Sequence, residues 1–205
     1  LGQGRGMTMY GEMGLDSEGK IVGLDAKVIA DAGAYPAIGG FLAFFTQTMI
    51  QGVYDIPKIR FHAVSAATNT TQVLAYRGAG RPEATQLLER LIDQAADELG
   101  IDPAAIRMKN FIPKEAFPLT TLGGANYDSG DYGLALNKAL EEAGYDSLLQ
   151  EQDRRRISNE TKQLGIGIST YVEVTAPTGL HIEYGAVEIN HDGTVTARVG
   201  TSAHG

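Results

Sequence analysis

Residues 73–99 read Val73-Leu74-Ala75-Tyr76, then Arg77-Gly78-Ala79-Gly80-Arg81, then PEATQLLERLIDQAADEL from Pro82 to Leu99. The first four are apolar and suited to a strand, and the run stops at Arg77. Gly78-Ala79-Gly80 lets the backbone turn tightly or approach a ligand closely. Pro82 fits the first helical position, where its missing N–H is not needed, and Glu83 suits a first turn. Ala84, Leu87, Leu88, Leu91, Ile92, Ala95 and Leu99 follow the three-four spacing of one buried helical face. Gly100 is placed to cap that helix. The stretch therefore reads as strand, glycine loop and amphipathic helix over 83–99.

The flanks give the fold class. Gly6–Met13 alternates weakly, residues 15–20 form a turn signal, and Ile21–Ala30 alternates with Val22, Leu24, Ala26, Val28 and Ala30 on one face. That predicts a hairpin. A glycine-rich loop over 33–40 leads to a short buried helix over Phe41–Ile50, and Ile59–Ala67 alternates as a further strand. Asp102-Pro103 caps and starts a short helix to about Lys109. Residues 111–130 are a long loop, expected to cross between domains or cover something. Asp131 opens a helix to about Ala143, and Ser147–Arg156 continues as a second. Strand patterns return at Gly165–Val174, His181–Ile189 and Thr194–Val199, with Asp192-Gly193 as a hairpin turn. The expected class is α+β, with mixed or antiparallel sheets and the 83–99 helix packed on them.

The totals exclude several functions. With 25 acidic and 17 basic residues the formal charge is −8, unsuited to nucleic acid or an anionic membrane surface as partner. No cysteine means no disulfide, no thiolate nucleophile and no iron–sulfur cluster held by this chain. The most apolar stretch, Ala37–Ile50, is shorter than the roughly 20 residues a membrane span needs. With no signal-like segment, a cytoplasmic setting is expected. The chain starts at Leu1 and stops at Gly205 directly after a strand pattern, so it reads as a piece of a larger polypeptide.

Chemistry concentrates at the glycine loop. Its N–H groups, flanked by Arg77 and Arg81, suit an anion such as phosphate or another oxyanion. A plain strand-to-helix connection with solvated arginines fits the same residues. Glu83 stands where a third glycine would complete a dinucleotide fingerprint, and no Gly-Lys-Ser/Thr is present. His62, His181, His191 and His204 lack metal-ligand spacing. Gly200-Thr201-Ser202-Ala203-His204-Gly205 reads either as a flexible end or as a second anion-binding loop.

Taken with DAGAYPAIGG (31–40), GVYDIPKI (52–59), ELGIDPAAIRMKNFI (98–112) and LGIGISTYVEV (164–174), in that order, the AYRGAGRPEA loop (75–84) resembles the molybdenum-binding large subunit of the xanthine dehydrogenase family. The likeness is strongest to its carbon monoxide dehydrogenase large-subunit group, in a glycine-loop form. It covers nearly the whole chain. It implies the end of a first molybdopterin-binding domain at 1–111, a connecting loop at 112–130 and the start of a second such domain at 131–205.

The resemblance also implies a molybdenum hydroxylase acting on an aldehyde, a heterocycle or a carbon-monoxide-like substrate, with water as the oxygen source. The cofactor would be molybdopterin with molybdenum, in the cytosine dinucleotide form. Partners would be a [2Fe–2S] small subunit, an FAD medium subunit and the remainder of the large subunit. Arg77 falls beside the molybdenum centre, and Gly78, Ala79 and Gly80 fall on the close-approach loop. Thr201, Ser202, His204 and Gly205 fall on the run before a Gln-Gly-His type motif that meets the pterin dinucleotide. The family's catalytic glutamate lies outside these residues, so no catalytic residue is assigned here and this length alone is not expected to turn over. Gly78 replaces the copper-holding cysteine of carbon monoxide oxidisers. Ala79 replaces the aromatic residue of purine oxidisers, and Phe45 lies where their substrate-orienting arginine would fall. The competing reading is a non-catalytic α/β module that binds an anion or a partner.

Overall fold

The computed structural model describes residues 2–174 and 183–200, which form two compact units, Leu1–Glu173 and Val174–Gly205. In the first unit, strands β1 (Met7–Leu15) and β2 (Ile21–Gly33) make the expected hairpin. β3 (Ile59–Ala67) joins the other edge of β2 in parallel, so the sheet is mixed. The alternation that predicted β2 is realised as burial at Leu24, Ala26, Val28 and Ala30, but Val22, expected on the same face, is exposed and Ile21 is buried instead.

Helix α1 (Leu42–Met49), entered through a 3-10 turn at Ile38–Phe41, packs its Ala43 against Val28 and Ala30, with Met7, Met9 and Phe61 around them. Helix α2 (Arg81–Leu99) buries Ala84, Leu87, Leu88, Ile92 and Ala95 of the face its spacing predicts, and Ala96 beside them; Leu91 is half-buried and Leu99, at the end, is exposed. Gly100 closes it, its N–H and that of Ile101 returning to the last turn. Helix α3 (Pro103–Asn110) starts as expected, with Asp102 accepting from the N–H groups of Ala104 and Ala105. Asn110 then ties α3 to the β1–β2 turn. Its amide donates to Gly19 O and its Oδ1 accepts from Ile21 N, both buried.

Residues 111–130 carry more structure than a plain loop. A 3-10 turn at Lys114–Ala116 and a two-stranded ribbon, β4 (Leu119–Thr120) with β5 (Asn126–Tyr127), fold it back on itself. Helices α4 (Tyr132–Ala143), capped by Asp131, and α5 (Tyr145–Ile157) follow as expected.

Two expected strands do not form. Val73–Tyr76 makes only a single bridge, Val73 with Gln3, because its neighbour is a short N-terminal stretch and not a strand. Gly165–Val174 has no strand partner among the described residues either; two of its backbone groups meet buried side chains instead. Thr170 N–H donates to Glu89 Oε2 at 2.8 Å, and Ile168 O accepts from Arg107 Nη2 at 2.9 Å. Those two residues anchor a buried network. Arg107, fully buried, pairs with Glu89 at 3.0 Å and Asp93 at 2.7 Å, and Tyr54 OH donates to Glu89 Oε1 at 2.5 Å. Burial works most strongly against the Arg107 charge, but Glu89, Tyr54 and Asp93 together outweigh it and its pKa lies above the ordinary value.

In the second unit, β6 (Gly185–Ile189) pairs antiparallel with β7 (Val195–Val199) around Asp192-Gly193, as the alternation predicts. His181 lies outside the described residues.

Candidate functional site

The glycine loop joins the Val73 bridge to α2. Gly78, Ala79 and Gly80 all have positive φ, at 87°, 43° and 88°. Glycine takes that conformation freely; Ala79 pays a steric penalty for it. Gly80 is close-packed as well as twisted. A Cβ there would sit 2.4 Å from Leu42 O and 3.0 Å from Thr46 N, and the Thr46 hydroxyl donates to Gly80 O at 2.8 Å. The close approach that glycine permits is therefore to α1. It fixes the loop against the helix that carries Phe44 and Phe45.

Two arginines hold the loop's carbonyl groups. Arg5 Nη2 donates to Arg77 O at 2.5 Å, Arg5 Nη1 meets Glu83 Oε2 at 3.2 Å, and its guanidinium lies over the Tyr76 ring at 5.1 Å. Arg81 Nη1 donates to Gly78 O at 2.9 Å, Arg81 Nε meets Glu173 Oε1 at 2.8 Å, and its guanidinium stacks over Phe45 at 5.7 Å. Burial pushes the Glu173 carboxyl up, against the pull of Arg81. Arg81 is thus not the solvated residue that the plain connection reading implies; its side chain is 21% exposed and fully engaged.

Arg77 differs from both. It is exposed, and its side chain has no hydrogen-bonding or ionic partner among the described residues. The N–H groups of Gly78 and Gly80 likewise donate to no protein acceptor among those residues, whereas Ala79 N–H is used on Tyr76 O at 2.7 Å. Exposed rings stand on the loop's approach and at α1, against which the loop packs: Tyr76 at 63%, Phe44 at 55% and Phe41 at 61%. An available cation and backbone donors beside aromatic surface suit a planar, anionic, partly apolar ligand. Thr201, Ser202, His204 and Gly205 lie outside the described residues. His62 and His191 are exposed, and among the described residues no cluster of histidine and carboxylate could hold a metal ion.

A family model described as a molybdopterin cofactor-binding domain matches residues 1–111, and a second of the same description matches 138–205. The chain belongs to the molybdopterin cofactor-binding domain family. The carbon monoxide dehydrogenase large chain of Hydrogenophaga pseudoflava is 38% identical over 215 residues, a match covering 98% of this chain and 27% of that protein. The nicotine 6-hydroxylase large subunit of Paenarthrobacter nicotinovorans is 33% identical over 205 residues, covering 93% of this chain and 24% of its own. Among solved structures, quinoline 2-oxidoreductase from Pseudomonas putida 86 superposes with a TM-score of 0.86 at 29% identity, over 97% of this chain and 27% of that one. The chain thus spans about a quarter of the length of these relatives.

The loop's donor set fits a molybdopterin cofactor, whose phosphate oxygens are anionic and whose metal carries strongly accepting oxygens. Arg77 and the Gly78 N–H are the described groups most open to it, while Gly80, whose N–H is also without a protein acceptor among the described residues, is buried against α1. Arg5 carries no legible signal in the sequence: it stands alone between two glycines, 72 residues from the carbonyl it binds. Glu83 was legible only as a residue suited to a first helical turn, yet it is buried and holds Arg5.

Proposed function

We propose that the chain is part of the large subunit of a molybdenum hydroxylase and that the 77–80 loop receives its molybdopterin cofactor, in the cytosine dinucleotide form. The observation that carries this reading is the combination of Arg77, exposed and unpaired among the described residues, with the undonated N–H groups of a loop in a molybdopterin cofactor-binding domain. When bound, the cofactor supplies the two-electron chemistry that oxidises a small substrate with water as the oxygen source. This chain's residues do other work. Arg77 presents a charge-assisted donor, Gly78 and Gly80 present backbone donors, and the exposed ring of Tyr76, next to Arg77, offers apolar surface.

The proposal extends to the whole protein. Its substrate is an aldehyde, a heterocycle or a carbon-monoxide-like molecule. Its electrons pass to a [2Fe–2S] small subunit and an FAD medium subunit, in the cytoplasm. Copper has no cysteine to hold it in this chain. Thr201, Ser202, His204 and Gly205 form a second cofactor contact. The domain division is 1–111 and 131–205, joined by 112–130. The two family matches support it, ending at 111 and starting at 138. The boundary at Glu173 is one of packing, not of family descent.

Arg77→Ala in the full-length protein tests the reading. Removing one charge-assisted donor from a bound anion costs about 1.5–3 kcal/mol, roughly a ten- to hundredfold loss of affinity. Molybdenum content and turnover are expected to fall, with circular dichroism unchanged. Wild-type metal content and turnover in Arg77→Ala would sink the assignment of the loop and leave it a plain strand-to-helix connection.

A further inference from the structure

We infer that Arg5 and Arg81 are a pair of positioning residues that hold the glycine loop with its donors turned to the cofactor, an inference that rests on the reading of the loop proposed above. The three arginines nearest the loop divide into two kinds. Arg5 and Arg81 each spend a guanidinium on the same triple set: one loop carbonyl, one carboxylate and one aromatic ring. Arg77 spends its side chain on nothing among the described residues. The first two are therefore occupied by the protein, and only Arg77 is left to a ligand.

The carbonyls they hold decide where the loop's donors point. A peptide unit is planar and trans, so its C=O and N–H point in opposite directions. Arg5 draws Arg77 O to one side, which turns Gly78 N–H to the other. Arg81 draws Gly78 O, which turns Ala79 N–H back onto Tyr76 O. Gly78 and Gly80 could adopt many other conformations, and Ala79 resists the one it has. Backbone bonds from Ala79 N–H to Tyr76 O and from Arg81 N–H to Gly78 O, with the contact of Gly80 on α1, give the loop its turn, and the two guanidiniums add a second hold on Arg77 O and Gly78 O. Arg5 itself sits at φ 62°, a conformation unusual for arginine, and keeps it while bound at three points. A forked, planar donor is needed, because one group must meet a carbonyl and a carboxylate together.

The test uses the full-length protein with its partner subunits. In Arg5→Gln, bound molybdenum and extractable pterin per protein should fall about tenfold on dilution, the effect of one loop donor, Gly78 N–H, no longer being aimed at the cofactor. Arg5→Lys, which keeps the charge but not the fork, should fall between Arg5→Gln and wild type. Arg81→Gln should resemble Arg5→Gln. Turnover per bound molybdenum should drop with KM unchanged, since the cofactor and not the substrate is misplaced. A melting temperature within a few degrees of wild type separates positioning from unfolding; if Arg5→Gln does not fold, Arg5→Lys carries the same measurement. Wild-type cofactor content and turnover per molybdenum in the Arg5 and Arg81 variants, alongside loss in Arg77→Ala, would overturn the positioning role and leave the loop assignment intact. Retention in Arg77→Ala as well would remove the loop assignment and this inference with it.

Discussion

Single residues in this chain act mostly through what they prevent. Arg107 is the plainest case. It is fully buried, and its charge is tolerated because Glu89 and Asp93 lie within 3.0 Å and 2.7 Å. Breaking such a pair from one side leaves the other charge buried and alone, at a cost of about 3–5 kcal/mol. Arg107→Met should lower unfolding free energy by that amount in denaturant titration. The double variant Arg107→Met/Glu89→Met should be less damaging than the two single changes summed. Additive effects would mean that the two residues do not act as a pair. Nothing in the sequence announced this network. Arg107 sits in a short helix with a lysine two residues on, where a solvated cation is the ordinary expectation. Only the folded arrangement brings residues 54, 89, 107 and 170 together. The loop followed the same pattern. Arg77 and the glycines were legible from their local spacing, whereas Arg5, 72 residues away from the carbonyl it binds, was not.

Elements were far more legible than contacts, because their signals are local. The three-four spacing of α2, the Asp102-Pro103 start of α3 and the Asp131 cap of α4 each depend on neighbours within one turn, and each stands in the structure as expected. The two strand expectations that failed, at 73–76 and 165–174, had the right local pattern but no strand to pair with among the described residues. Alternation measures which side chains can be buried, and cannot say whether a partner strand exists. Packing on α2 also sets the stability of the first unit. Ile92 is fully buried while Gln94 faces solvent. Ile92→Ala is expected to cost about 2–5 kcal/mol, and Gln94→Ala within about 0.5 kcal/mol of nothing. Chemical denaturation followed by circular dichroism measures both, and equal effects would mean that α2 is not the organising helix.

At the scale of the molecule, each unit exposes more apolar surface than its own core explains. The first carries Tyr35, Phe41, Phe44 and Tyr76 in the open. The second is a two-stranded hairpin with Val187, Ile189, Val195 and Val199 all exposed. A two-stranded hairpin is marginal in water unless something packs on it. Expressed as these 205 residues, the protein should bind an apolar dye strongly and self-associate at micromolar concentration. The same residues within a polypeptide of the relatives' length should do so weakly. A monodisperse chain that excludes the dye would show these faces to be stable in water by themselves.

The Thr170 N–H belongs to no helix or strand, yet it ends on the Glu89 carboxylate inside the first unit. Solvent deuterium can reach that proton only when Glu89 lets go, and Glu89 is held by Arg107 and Tyr54 at the same time. Thr170 should therefore exchange its amide hydrogen as slowly as the interior of α2, while its neighbours Gly165 and Gly167 exchange at the rate of an open chain. One irregular backbone position then serves as a clock for cooperative opening of the α2–α3 core. In Glu89→Gln its protection should drop first. An unprotected Thr170 in the native protein would show that the 165–174 segment lifts away independently.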